Sequence, residues 1–256
     1  MRYMIPIKSK KEIEKMREGG KILAAVTDAV LAMIAPGVTS LELDEMAEKM
    51  IREKGGIPAF KGYGGPNNPF PGTLCVSFND EVVHGIPKQD KIIKAGDVVK
   101  IDVGMTFAGM NTDMARTIAV GNVSEETKKL IRVTEESFWE GIRCLKAGSK
   151  LSEYSRKTQN HVEKNGFSVV RNLVGHGIGV EVHEDPQIPN YYNRKFMDVT
   201  LEAGMTLALE PMVNAGALET VLGHDGWVFK TQDKSLSAHY ENTILITKEG
   251  VEVLTI

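Results

Sequence analysis

The stretch VVKIDVGMTFAGMNTDMARTIAV, Val98 to Val120, constrains the fold of this chain more than any other. It reads as two strands around a turn, with Asp102 near the end of one strand and Asp113 near the start of the next. If the connecting loop holds an even number of residues, paired positions have numbers with an odd sum. Residues 102 and 113 meet that condition, so both carboxylates share one face of the sheet, because side chains alternate along a strand. Like charges side by side on a half-buried sheet repel unless a cation lies between them. A divalent metal is the simplest candidate.

With 256 residues and 28.1 kDa the chain is long enough to bury a substantial core, as one large domain or two small ones. A net charge of -3 and a pI near 6.1 give no global pull toward nucleic acid or anionic lipid, so neither nucleic acid nor membrane is expected as a partner. Cys75 and Cys144 are the only cysteines and form no CxxC, which argues against a disulfide framework or a cysteine zinc site. The opening MRYMIPIKSKKEIEK lacks the apolar core of a signal peptide, and the most apolar helical run, Ile22 to Ala35, is short and contains Asp28. The expected location is the cytoplasm.

Ser9 to Ala35 predicts a helix, capped by Ser9 and stopped by Pro36-Gly37, and a second runs from Ser40 to about Lys54. The Gly- and Pro-rich KGYGGPNNPFPG is loop, Thr73 to Phe78 is a strand, and Asn79 to Pro87 leads to a turn. After the hairpin the pattern starts again, with helices from Ser124 to about Lys146 and from Ser152 to Lys164. Gly37 and Gly55 are 18 residues apart, as are Gly148 and Gly166, and the second pair lies 111 residues after the first. AGDVVKID, ending at Asp102, resembles AGMTLALE, ending at Glu210, at an offset of 108. These agreements suggest an internal duplication, with halves of roughly 9–121 and 122–256 in a single catalytic domain spanning 1–256. The expected fold is α+β: a central curved antiparallel sheet with pseudo-two-fold symmetry, helices on its outer face and a concave inner face.

In LVGHGIGVEVHEDP, His176 sits among glycines, so it and His183 are not the paired histidines of a helical zinc motif. Alone, the segment also reads as a Gly-rich strand edge with two ordinary histidines. The last strand, His239 to Thr247, carries Glu241 just before an apolar run, as Asp113 precedes Ala115 to Val120. Any one of Asp102, Asp113, Glu210 and Glu241 alone reads as a solvated strand-end acid, but their paired placement in both halves favours convergence. Four carboxylates and one imidazole would suit two divalent cations of Mn, Fe, Co or Zn. The chemistry such a centre supports is amide or ester hydrolysis.

SFNDEVVHGIP, KIDVG, the acid at Asp113, GHGIG with His183 seven residues after His176, LEPM, and the region from DGW through ENTI follow one another in an order that resembles the type I methionine aminopeptidases, of the pita-bread peptidase fold. The resemblance covers the chain from about Ser9 to the end. It implies that Asp102 ligates one metal, that Asp113 and Glu241 bridge both, and that His176 and Glu210 ligate the second. It also implies that Glu210 takes a proton from the attacking water and that His183 holds the scissile carbonyl as charge develops on its oxygen. His84 would contact the peptide beyond the scissile bond and help protonate the leaving amine. The methionine side chain would enter a pocket of Phe70, Cys75 and Trp227, with Val182 beside it. The implied activity is removal of N-terminal methionine from nascent polypeptides, ahead of a small second residue, by a monomer in transient contact with the ribosome. On that rule Arg2 would block removal of Met1.

Several positions depart from the family's habit. Asn67 and Asn68 stand in a loop where relatives tend to carry an aromatic, Asn242 where a histidine is common, and His239 where a glutamine is common. The last two are expected to alter the support around the ligands rather than the ligands themselves. Two other readings compete. A proline-directed peptidase of the same fold usually carries a large extra N-terminal domain, and only a short segment precedes the first helix here. A non-catalytic binding protein would have lost ligands and gained basic tails, and this chain keeps every ligand.

Overall fold

The computed structural model describes residues 5–256, so the expectation for Met1 and Arg2 lies outside the described residues. Val98–Phe107 and Met110–Ala119 form the hairpin, with Phe107 opposite Met110, which leaves a two-residue loop of Ala108 and Gly109. Both loop residues have positive φ, 49° and 81°, the combination found in type I′ turns, whose twist matches that of the flanking strands. Asp102 pairs with Ala115 and Asp113 with Gly104. The two acids are therefore diagonal neighbours on one face, as the parity of their numbers predicts.

The hairpin lies within a curled nine-stranded antiparallel sheet. Val98–Phe107 pairs with Ile57–Pro58 and Leu74–Phe78. On the other side, Met110–Ala119 pairs with Glu241–Ile246, followed by Thr206–Leu209, Gly175–Gly177 and Glu184–Ile188. Strand alternation divides the side chains. Ile101, Val103 and Met114 pack under Leu23, Val26 and Val30 of α1 (Lys10–Met33) and Leu43 and Ile51 of α2 (Ser40–Glu53). Leu207, Leu209, Ile244 and Ile246 pack with Phe138 of α3 (Glu125–Ile142) and Tyr154 of α4 (Leu151–Lys164). Asp102 and Asp113 alternate with these core residues and face the uncovered side. The result is the α+β pita-bread arrangement, with helices on the outer face only.

Ser9 and Thr39 start α1 and α2 with capping boxes closed by Glu12 and Glu42. The third helix stops at Ile142 rather than near Lys146, because Leu145 turns into the core and Ser149 Oγ donates to Cys144 O and accepts from Lys146 N. Glu81–Val83 forms a short strand on Phe229–Thr231 where a plain approach to a turn was expected.

The final strand is split at Tyr240. Ser237–His239 pairs with Met212–Asn214 in a small sheet, and Glu241–Ile246 joins the large one. The cause is Pro211, which has no N–H to offer the ladder. Register is kept across the gap, with Leu209 opposite Asn242 and Met212 opposite His239, which sets Glu210 across from Glu241. Among the described residues, no helix is long and apolar enough to cross a membrane.

The turn gives a direct test. Gly109→Ala forces a Cβ into left-handed backbone and should cost about 1–2 kcal/mol, while Ala108→Asn should leave stability equal or higher, because Asn tolerates that region. Urea unfolding of the two variants measures both effects.

Candidate active site

The inner face gathers Asp102 and Asp113 from the hairpin, Glu210 from the end of one strand, Glu241 from the start of the strand opposite, and His176 from Gly175–Gly177. All but Glu210 are buried, and Glu210 is partly buried. The glycines flanking His176 are dictated by crowding: a Cβ on Gly175 would lie 2.5 Å from Ala208 O, and one on Gly177 would lie 2.2 Å from Asp185 O. Only glycine lets this strand pair on both sides. His176 Nδ1 lies 2.9 Å from Gly177 O. Since a carbonyl can only accept, Nδ1 carries the proton and Nε2 is left free as a ligand atom.

The backbone of this site is pinned by hydrogen bonds from distant segments. Asn190 Nδ2 donates to Glu210 O at 2.9 Å, and Tyr154 Oη donates to Asn190 Oδ1 at 2.8 Å, with both side chains fully buried. Asp113 N donates to Thr243 Oγ1, which donates back to Asp113 O.

Burial pushes all four carboxyls toward the protonated form, Asp113 to about 7. In Asp102, Glu210 and Glu241 the repulsion of neighbouring acids adds to burial and raises them well above the carboxylate range. Burial likewise pushes the imidazoles toward neutrality, His84 to about 4 and His176 and His239 to about 3.

Asp102 Oδ1, Asp113 Oδ1, Glu241 Oε1 and both ring nitrogens of His239 are buried without a hydrogen-bond partner among the described residues. Orphaned polar atoms are costly inside a protein. Here they are lone-pair donors that converge: ligand atoms of Asp102, His239 and Glu241 lie within 4.8 Å of one another, and so do those of Asp113, His176 and Glu241. A donor set of carboxylates and neutral imidazoles fits divalent transition metals.

A cavity opens on these acids and is also lined by Phe60, Phe70, Cys75 and Trp227. Cys75 is the register partner of Asp102, so the apolar wall abuts the acids directly. Phe70 and Trp227 meet edge to face at 5.2 Å, and Val182 belongs to the same apolar cluster. Gly104 leaves room for Phe60, whose Cε1 would lie 2.6 Å from a Cβ there. His84, held at φ 59°, stands near Trp227 and Phe229 with ring centroids at 6.4 and 6.0 Å. His183 meets His176 edge to face with ring centroids 4.3 Å apart, and its Nδ1 lies 2.6 Å from Tyr63 Oη.

Phe60, Tyr63 and His239 join the cavity or its acids without having been singled out from the sequence as members. Tyr63 lies in a Gly-rich loop where no periodicity reports on orientation. The two family departures near the last strand have different fates. Asn242 faces the helices, where its Oδ1 accepts from Arg116 Nη2 and Thr255 Oγ1, so it does not touch the acids. His239 turns inward, with Nε2 3.7 Å from Glu210 Oε2 and 3.8 Å from Glu241 Oε2. Asn68 donates to Asp225 O and ties the Gly-rich loop to the turn before Trp227.

Residues 14–248 match the model of metallopeptidase family M24. The chain is similar to a methionine aminopeptidase of Clostridium perfringens, 48% identical over 253 residues and 99% of each chain. It is 45% identical to methionine aminopeptidase 1 of Bacillus subtilis, over 98% of this chain and 99% of the relative. The crystal structure of a methionine aminopeptidase from Thermotoga maritima superposes with a TM-score of 0.94 at 45% identity, covering 98% of this chain and 99% of that one.

Carboxyls raised by burial must lose protons to become ligands. Loading a divalent cation at about pH 6 should therefore release protons, and fewer at about pH 8, where Asp113 is already ionised. Titration calorimetry in buffers of different protonation heat measures the release, and buffer-independent heats at the lower pH would contradict the electrostatics described.

Proposed function

Since the chain belongs to metallopeptidase family M24 and is an aminopeptidase that removes N-terminal methionine with a divalent metal, we propose that it works with two metals and prefers a small second residue. The carrying observation is the pair of ligand clusters that share Glu241. In this reading Asp102 would hold one cation, His176 and Glu210 the other, and Asp113 and Glu241 would serve both. The oxygen and imidazole donors suit Mn, Fe, Co or Zn. When bound, such cations polarise the scissile carbonyl and activate water at neutral pH.

The remaining work falls to the chain's own side chains. The methionine side chain enters among Phe60, Phe70, Cys75 and Trp227, with Val182 behind them, a burial worth about 1.5–3 kcal/mol. Glu210 accepts the proton of the attacking water and passes it on. With the Tyr63 hydroxyl, 2.6 Å away, as donor to His183 Nδ1, the proton of that ring would sit on Nε2, aimed at the scissile carbonyl oxygen as negative charge grows there. His84 contacts the peptide beyond the scissile bond and, neutral because burial pushes it down to about 4, helps protonate the departing amine by relaying the proton taken from the attacking water. The preference for a small second residue follows from space, because one cavity must hold the methionine side chain, the cations and the next residue together.

The same reading takes the whole chain as one catalytic domain with duplicated halves of roughly 9–121 and 122–256. It acts as a cytoplasmic monomer on nascent polypeptide N-termini in transient contact with the ribosome.

Metal-reconstituted protein incubated with Met-Ala-Ser should release free methionine, and a peptide with a bulky second residue should react far more slowly. Release of the first residue ahead of proline from an X-Pro peptide, or no release with any metal, would overturn the assignment. Asp113→Asn should abolish turnover and lower metal occupancy with an unchanged circular dichroism spectrum. Full activity in that variant removes the two-metal reading. His183→Ala should lower kcat by about 10²–10³, as loss of an oxyanion donor does, with KM little changed.

A further inference from the structure

His239 is an imidazole for which the reading above has no task. It is 1% exposed, and neither ring nitrogen has a hydrogen-bond partner among the described residues. Its backbone is fixed on both sides: its N–H donates to Thr117 Oγ1 at 2.9 Å, Thr117 Oγ1 donates to its carbonyl at 2.7 Å, and the residue pairs with Met212 across the small sheet. The cations whose charge reaches it are engaged elsewhere: Lys100 of the hairpin spends its ammonium on Asn79 O and Ser237 O, and Arg116 donates to Glu241 O and Asn242 Oδ1.

The spacing to the acids is informative. Nε2 lies 3.7 Å from Glu210 Oε2 and 3.8 Å from Glu241 Oε2, too far for hydrogen bonds. Two donors each about 2.1 Å from a shared cation are separated by about 3.0–4.2 Å, depending on the angle between them. His176 Nε2 stands in the same relation to Glu210 Oε1, at 3.6 Å. Ligand atoms of His239, Asp102 and Glu241 also fall within one 4.8 Å cluster, which has only Glu241 in common with the one that contains His176.

We propose that His239 ligates the cation on the Asp102 side, so that each of the two cations carries one imidazole. The inference rests on the two-metal reading, in which that cation would otherwise have oxygen donors only. Adding an imidazole moves the site's preference away from Mn and toward Co, Fe and Zn.

The test uses the full chain, demetallated and titrated with cobalt or manganese, against His239→Gln, which keeps a polar side chain of similar reach. Wild-type protein should bind two equivalents of cobalt and show two cobalt-shifted, solvent-exchangeable imidazole N–H resonances by proton NMR. His239→Gln should lose one resonance and bind one equivalent at least about tenfold more weakly, the loss that removal of even an outer partner brings, with manganese affinity less affected. Retention of both resonances and unchanged cobalt affinity would overturn the inference and leave the two-metal reading intact. A wild-type stoichiometry of one overturns that reading and the inference with it. X-ray absorption at the cobalt edge needs no variant: one imidazole per cobalt supports the proposal, and one for every two cobalts refutes it.

Discussion

Four carboxyl groups share one face of a sheet, and the basic side chains nearest to them are turned elsewhere. Arg116 lies on the opposite face and spends its guanidinium on Ala115 O, Glu241 O and Asn242 Oδ1. Buried like charges without a counterion are among the least favourable arrangements a protein can hold. The remainder of the molecule is organised to hold it. Capped helices pack on one side only, so the acids keep an accessible inner face, and a buried network from Tyr154 through Asn190 fixes the backbone at Glu210. The tension between burial and charge is what makes the cluster a cation site rather than a surface feature.

Much of this was legible in the chain. Strand alternation has a fixed period, so the common face of Asp102 and Asp113 followed from their numbers and an even turn. Ser9 with Glu12, and the breakers Pro36-Gly37 and Gly55, marked helix ends within a residue or two, because caps and positive-φ positions are decided locally. The acids at Glu210 and Glu241 were legible as echoes of the first pair.

What stayed hidden depends on register and loop packing. Tyr63 and His183 are 120 residues apart and meet only because a Gly-rich loop folds over the cavity. Asn242 and His239 look like equivalent departures when read in line, yet one faces the helices and the other the acids. Period two predicts that His239 shares a face with Glu241, but the uninterrupted strand expected there drew attention to the apolar run that follows. The end of the third helix was overestimated for a related reason: its composition continues to favour helix while the core claims Leu145.

Pro211 has a mechanical consequence. Two strands run antiparallel through both the large sheet and a small one, in unbroken register, and the rung beside Glu210 and Glu241, where Pro211 faces Tyr240, lacks the ladder bond that a residue with an N–H would donate. At that rung Tyr240 N donates to Pro211 O at 3.2 Å, and Pro211 has no N–H to return. A cation held by Glu241 in the large sheet and His239 in the small one would act as a rivet between them.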